Sequence, residues 1–152
     1  DLDFRDSGGL PTKGTRAIIE YHNGTILSNE TSNYGVAKGS VEYYMSTKQK
    51  NPLTFGMRLG GALTHGDAPW YKLPTLGDRN GLRGYFQNRF TGDRSAYMNF
   101  EIRYQIFETL QTFIPLKGGV KAFYDRGRVF EDDTNEGSEW RSGYGFWLDF
   151  DR

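Results

Sequence analysis

Arg83 stands between two glycines in Gly81-Leu82-Arg83-Gly84-Tyr85, late in a long connection between two strand-like segments. Glycine lets a backbone turn tightly and approach other groups closely. A guanidinium keeps its charge and matches a carboxylate with a planar fork of donors. Two acids lie downstream on the polar faces of alternating segments: Glu101 in Asn99-Phe100-Glu101-Ile102-Arg103, and Asp125 in Phe123-Tyr124-Asp125-Arg126-Gly127. The chemistry expected of this set is a charge-assisted tether. A catalytic set does not emerge. Gly77-Asp78-Arg79-Asn80-Gly81 reads as a turn and not as a phosphate loop, because no Gly-Lys-Ser/Thr follows it. His22 and His65 are far apart and lack metal-ligand spacing, and there is no cysteine. No catalytic residue, metal or cofactor is therefore expected, and the chain is not read as an enzyme. The acid pairs Asp132-Asp133 and Asp149/Asp151 read as loop and rim charge.

Composition narrows the class. The 152 residues suffice for one domain, and 19 basic side chains balance 19 acidic ones, so no electrostatic bias toward nucleic acid exists. The first residue is not methionine and no signal-peptide pattern opens the chain, which reads as a mature or excised segment. Mean hydropathy is −0.70, yet there are ten Tyr, eleven Phe, three Trp and 20 Gly. A transmembrane helix is excluded, because no apolar run is long enough to form one. A membrane β-barrel is not, because strands that alternate apolar and polar residues average to low hydropathy. Composition alone favours a soluble all-β domain.

Seven alternating segments follow one another. They are 1–5, 15–22 (Ala17, Ile19 and Tyr21 on the apolar face), 34–46 (Val41, Tyr43, Met45), 53–64 (Leu53, Phe55, Met57, Leu59, Leu63), 95–107 (Met98, Phe100, Ile102, Tyr104, Ile106), 118–131 (Val120, Ala122, Tyr124) and 139–150 (Trp140, Tyr144, Phe146, Leu148, Phe150). Their opposite faces carry Arg58, Glu101, Arg103, Lys121 and Asp125. Short turns at 7–14, 47–51 and 108–117 define one rim. Longer connections at 23–33 and 65–94, with a short acidic loop at 132–137, define the other. Such asymmetry between rims is a habit of outer-membrane barrels. The connection 65–94 carries Trp70, Tyr71, Leu73, Leu76, Leu82, Tyr85 and Phe86. That is too aromatic for a disordered tether, so it is expected to fold back and pack, with Tyr85 and Phe86 on the wall. Trp140, Trp147, Tyr43, Tyr44 and Tyr104 are candidates for interfacial girdles. The sequons Asn23-Gly24-Thr25 and Asn29-Glu30-Thr31 read as chance in a loop of small polar residues.

Residues 81–90, and the segments around them, resemble the bacterial surface antigen family, the outer-membrane barrels of the BamA and TamA type. The carriers are Leu82-Arg83-Gly84-Tyr85, the acid in Asn99-Phe100-Glu101-Ile102-Arg103, and the Phe-x-Asp-x-Gly pattern of Phe123-Tyr124-Asp125-Arg126-Gly127. A fourth is the turn Arg5-Asp6 … Leu10-Pro11-Thr12-Lys13-Gly14. Each pattern is weak alone, but four in order along the chain are specific. The resemblance implies an all-β antiparallel meander, residues 1–152 forming the C-terminal part of a larger transmembrane barrel of about sixteen strands. In it the loop 65–94 folds into the lumen and Arg83 pairs with Asp125 and Glu101 on the inner wall. It implies residence in the bacterial outer membrane, contact with the lipid bilayer, and work on outer-membrane protein substrates with accessory assembly proteins: insertion of barrel proteins or translocation of polypeptide. Two other readings stand beside it. The barrel could anchor or export an N-terminal hydrolase, such as a patatin-like lipase or a metallophosphoesterase, or the chain could be a soluble β-sheet binding domain.

Overall fold

The computed structural model describes residues 1–26, 32–111, 114–131 and 139–151. β1 (Leu2–Asp3), β2 (Gly14–Ile26), β3 (Ser32–Ser46), β4 (Leu53–Gly66), β7 (Arg94–Gln111), β8 (Ile114–Phe130) and β9 (Arg141–Asp151) form one antiparallel sheet in that order. β5 (Thr75–Leu76) and β6 (Phe90–Thr91) make a small ribbon inside the β4–β7 connection, after a 3-10 turn at Trp70–Lys72. The fold is an all-β meander, and every neighbour in the main sheet is a neighbour in sequence apart from the ribbon.

Three expectations shift. The connection expected at 23–33 is mostly strand: Asn23 through Ile26 pair with Gly35 through Ser32. Its small polar residues hid a register in which the Tyr34 ring covers Gly24 and the Thr25 hydroxyl donates to the Asn33 side-chain oxygen; Asn29 and the rest of 27–31 lie outside the described residues. The turn expected at 108–117 is also paired, Glu108 with Lys117 and Leu110 with Pro115, after an irregularity between Gln105 and Phe107. Proline signalled a turn, but ladder pairing carries past it, and only 112–113 separate the two strands. The first segment shortens to Leu2–Asp3, although the Phe4 amide still bonds the Thr15 carbonyl at 2.9 Å. The acidic loop expected at 132–137 lies outside the described residues.

Alternation puts each residue type on its own face. One face is apolar and open. Ile19 is 83% exposed and Phe146 88%, and Val41, Met45, Leu59, Leu63, Ile102 and Tyr104 are exposed between them. The other face is polar and covered at its centre. Buried residues there include Glu42, Thr54, Lys121 and Asp125, while the buried hydrophobic residues among those described are Val36, Leu76 and Leu82. This inverts the usual arrangement, in which apolar side chains fill the core.

The register lines the polar face into rows. Arg16, Glu42, Arg58, Asn99, Asp125 and Gly143 stand opposite one another across β2, β3, β4, β7, β8 and β9. One row nearer the short-turn rim come Tyr44, Gly56, Glu101, Phe123 and Gly145. One row nearer the long-loop rim come Ser40, Gly60, Tyr97, Gly127 and Arg141. Aromatic rings lie over cross-strand glycines in these rows, Tyr44 on Gly56, Tyr97 on Gly60 and Phe123 on Gly145. Large and absent side chains thereby interlock, and a slip of one residue would carry every ring to the opposite face.

Candidate functional site

The β4–β7 connection is a folded loop lying on the polar face. Its base is the β5–β6 ribbon, with Thr75 opposite Thr91 and Leu76 opposite Phe90, extended by the Gly92 amide bonding the Pro74 carbonyl at 3.1 Å. Asn80 ties the loop internally, its side-chain amide donating to Asn88 Oδ1 at 2.9 Å and to the Thr75 hydroxyl at 3.2 Å. Leu76 and Leu82 are the fully buried anchors, and both rest over Gly127. Gly81 turns with φ +89° against the Tyr97 ring, where a Cβ would lie 2.5 Å from Cγ; a side chain is excluded there both by conformation and by space. The Asn99 side-chain amide donates to the Gly81 carbonyl at 2.9 Å. Tyr85 reaches β9, its hydroxyl donating to the Ser142 carbonyl at 3.0 Å, with its ring edge-on to Phe90 at 5.2 Å.

These contacts aim Arg83. Its backbone amide donates to Asp125 Oδ2 at 2.9 Å, its Nε to the same oxygen at 2.8 Å, and its Nη2 to Asp125 Oδ1 at 2.7 Å. Its remaining branch, Nη1, donates to Glu101 Oε2 at 2.6 Å. One residue thus satisfies both oxygens of Asp125, whose side chain is fully buried, and one oxygen of Glu101. The guanidinium lies over the Phe123 ring at 4.2 Å and faces Trp147 at 5.8 Å, a cation–π platform on its remaining side. Gly143 closes the arrangement: an added Cβ would stand 2.2 Å from the Arg83 carbonyl oxygen. Glu101 in turn is a hub. Its Oε1 accepts from Arg103 Nε and lies 3.5 Å from Lys121 Nζ.

The sequence-predicted set, Leu82, Arg83, Gly84, Tyr85, Glu101 and Asp125, is therefore brought together at one place. Gly84 supplies a positive φ of 89° and has open space around it. Phe86 departs from expectation: it is 86% exposed and does not pack on the wall. Two of the five girdle candidates are also corrected. Tyr44 faces the polar side, its hydroxyl 3.5 Å from Glu42 Oε2, and Trp147 lies tilted against Phe123 at 5.2 Å beside Lys121. Their alternation with outward neighbours was the signal that places them inward. Asn99, Tyr97 and Gly143 were not anticipated. Asn99 and Tyr97 could have been found as the residues that share Glu101's face, whereas the close approach at Gly143 has no mark in the sequence.

Among the described residues, no group of three or more His, Asp and Glu stands ready for a metal. What the arrangement can do is hold a loop: a cation that cannot be discharged is placed against two carboxylates, in a cleft whose walls supply the rest of the fit.

Comparison with protein-family models matches the Omp85 superfamily domain over residues 1–152. No curated protein and no solved structure matches the chain. A match over the whole length, together with the all-β meander, establishes that this chain belongs to the Omp85 superfamily, whose members are outer-membrane proteins of bacteria and organelles.

Proposed function

We propose that this chain is the C-terminal part of a BamA-like barrel domain that assembles outer-membrane proteins or translocates polypeptide. In this reading Arg83, held by Asp125 and Glu101, latches the long loop inside the lumen. The work is non-enzymatic: the wall and loop bind and guide other chains without altering covalent bonds. The observation that carries the reading is the bonding of Arg83, whose backbone and side chain together satisfy a fully buried Asp125. A buried carboxylate deprived of its partner is strongly unfavourable, costing about 3–5 kcal/mol where water stays out. Water entering the lumen would reduce that figure, so the latch acts chiefly by fixing where the loop lies.

The open apolar face supports contact with the hydrocarbon of a bilayer, since a sheet in water would cover residues such as Ile19, Met45 and Ile102. In a bacterium that bilayer is the outer membrane. The partners are unfolded outer-membrane proteins and the accessory proteins that deliver them.

Reconstitution of the full-length protein in phospholipid vesicles tests this. The wild type should accelerate the folding of an added, urea-unfolded outer-membrane barrel protein, and Arg83→Ala should lose most of that acceleration while its own barrel remains folded. Wild-type vesicles that fold the substrate no faster than empty ones would remove the assembly role. They would leave membrane anchoring as the barrel's contribution.

A further inference from the structure

The short-turn rim holds a second inward-folded segment. Residues 4–13, between β1 and β2, meet the polar face through Arg5 and Pro11, while Asp6 to Gly9 stay exposed. Asp6 organises the turn: its carboxylate accepts from the Thr12 amide at 2.8 Å, from the Lys13 amide at 3.1 Å and from the Thr12 hydroxyl. Pro11 is buried. A cavity of about 160 Å³ remains between the turn and the wall, bounded by Leu10, Thr12, Thr54 and Arg103. Arg5 ties one end of the turn to Glu42 at 3.1 Å. The other end is tied by Arg103, whose Nη1 donates to the Pro11 carbonyl at 3.0 Å.

Arg103 is also a partner of Glu101, and so of the loop site. Its Nε holds Glu101 Oε1, leaving Oε2 for Arg83. Its guanidinium stands over the Tyr44 ring at 5.6 Å, which fixes the plane of the fork. The side chain is 17% exposed and that of Glu101 12%. One continuous chain of charge-assisted bonds therefore runs from the Pro11 carbonyl through Arg103 and Glu101 to Arg83. It joins a turn from one rim to a loop from the other.

We propose that Arg103 is a positioning residue that couples the two inward segments: seating of the turn at 4–13 fixes Arg103, Arg103 orients Glu101, and Glu101 completes the dock for Arg83. The inference rests on the latch reading and adds a second control point to it, at the opposite rim. A partner that lifts the turn would loosen the loop without touching it. Asp6 provides the handle for imitating such a partner, because it organises the turn and contacts neither Arg103 nor the loop.

Hydrogen exchange read by mass spectrometry on the full-length protein in detergent micelles tests the coupling. Peptides covering 4–14 report the turn, peptides covering 78–86 report the loop, and peptides from β4 and β8 report the fold. Arg103→Gln should raise exchange in both turn and loop by about five-fold, with β4 and β8 protected as in the wild type. Asp6→Asn should raise exchange in the turn and also in the loop, and in the Arg103→Gln background it should add nothing further in the loop. Should Arg103→Gln lose protection in β4 and β8, the Asp6→Asn protein carries the test alone, because loop exchange unchanged in it overturns the proposal. Turn exchange raised with the loop unchanged in either variant overturns the coupling and leaves the latch standing. Arg83→Ala with loop exchange unchanged removes the latch, and the coupling with it.

Discussion

Gly143 offers the sharpest test of how the loop is held, because the wall there leaves no room for a side chain. A Cβ at Gly143 would stand 2.2 Å from the Arg83 carbonyl oxygen. Ordinary contact begins at 3.4 Å, so in Gly143→Ala the loop backbone must retreat by about 1.2 Å. The obstruction is backbone and not the tip of a flexible side chain. The same shift would stretch the Arg83 amide bond to Asp125 from 2.9 Å toward a separation that is no hydrogen bond. Losing one bond to a charged acceptor costs about 1.5–3 kcal/mol, which is about ten- to a hundred-fold in the equilibrium between docked and lifted loop. Two other glycines on strands of the same sheet give the scale. At Gly127 an added Cβ meets the side chains of Leu76 and Leu82 at 3.0–3.2 Å, so that side-chain carbons and not backbone must shift, and by a few tenths of an ångström only; at Gly39 its nearest neighbour is the Ile18 carbonyl oxygen at 3.7 Å. Limited trypsin digestion of the full-length protein, followed at Arg79 and Arg89 in the loop, should therefore rank the alanine variants Gly143 well above Gly127, with Gly39 like the wild type. Equal cleavage in all three would refute the reasoning, since alanine in a strand carries the same backbone consequence at each position and only the distance to the loop differs.

Other outcomes follow from the same geometry. Arg83→Lys should open the loop nearly as far as Arg83→Ala in that digestion, because a point charge cannot satisfy both oxygens of Asp125 and reach Glu101 at once. Ile102→Lys, on the open apolar face, should lower folding stability in phospholipid vesicles by about 2–4 kcal/mol if the position lies near the bilayer midplane. Urea titration of the refolded protein measures this, and an unchanged midpoint would count against lipid contact at that strand. The Thr12 hydroxyl holds the Asp6 carboxyl below its ordinary pKa, with the Thr12 and Lys13 amides adding to the effect against the opposing push of burial. A lowered folded-state value means that Asp6 stabilises the turn fully above the ordinary carboxylate range and loses its contribution as pH falls through the folded value. Protection of the turn amides should accordingly fall on acidification, and Asp6→Asn should be weakly protected throughout with little pH dependence. Protection that falls equally in both proteins would assign the effect to another group.

The strands were legible wherever one residue in two is apolar, because a sheet with one lipid-like face writes its period directly into the sequence. Leu53 to Leu63 is the clearest case, and β4 covers that run. Legibility failed where polar residues fill both faces. Asn23, Thr25 and Asn33 look like loop, yet they are paired, because glycine opposite tyrosine substitutes for apolar alternation. It failed again at Pro115, where a breaker signal was outweighed by the ladder on either side. At the site, the charges were readable because an obligate cation and two acids on polar faces need one another. The shape was not. Gly143 is one glycine among twenty, and its meaning depends on a carbonyl sixty residues upstream in the chain. Trp147 and Tyr44 show the same limit in reverse: their chemistry suits an interface, and only parity along the strand assigns them to the polar face.

The site draws on three successive strands: Glu101 from β7, Asp125 from β8, and Gly143 and Ser142 from β9. Arg83 precedes all of them in the chain, and its bonds to Asp125 span 42 residues. The dock is therefore complete only when all three strands lie side by side. Glu101 offers Arg83 one oxygen, Asp125 offers both of its own, and β9 must lie in register so that a glycine and not its neighbour faces the Arg83 carbonyl. The fit of the loop is thus tied to the register of the wall. A one-residue slip in β9 would present Ser142 or Tyr144 where Gly143 belongs, and the loop would stay out.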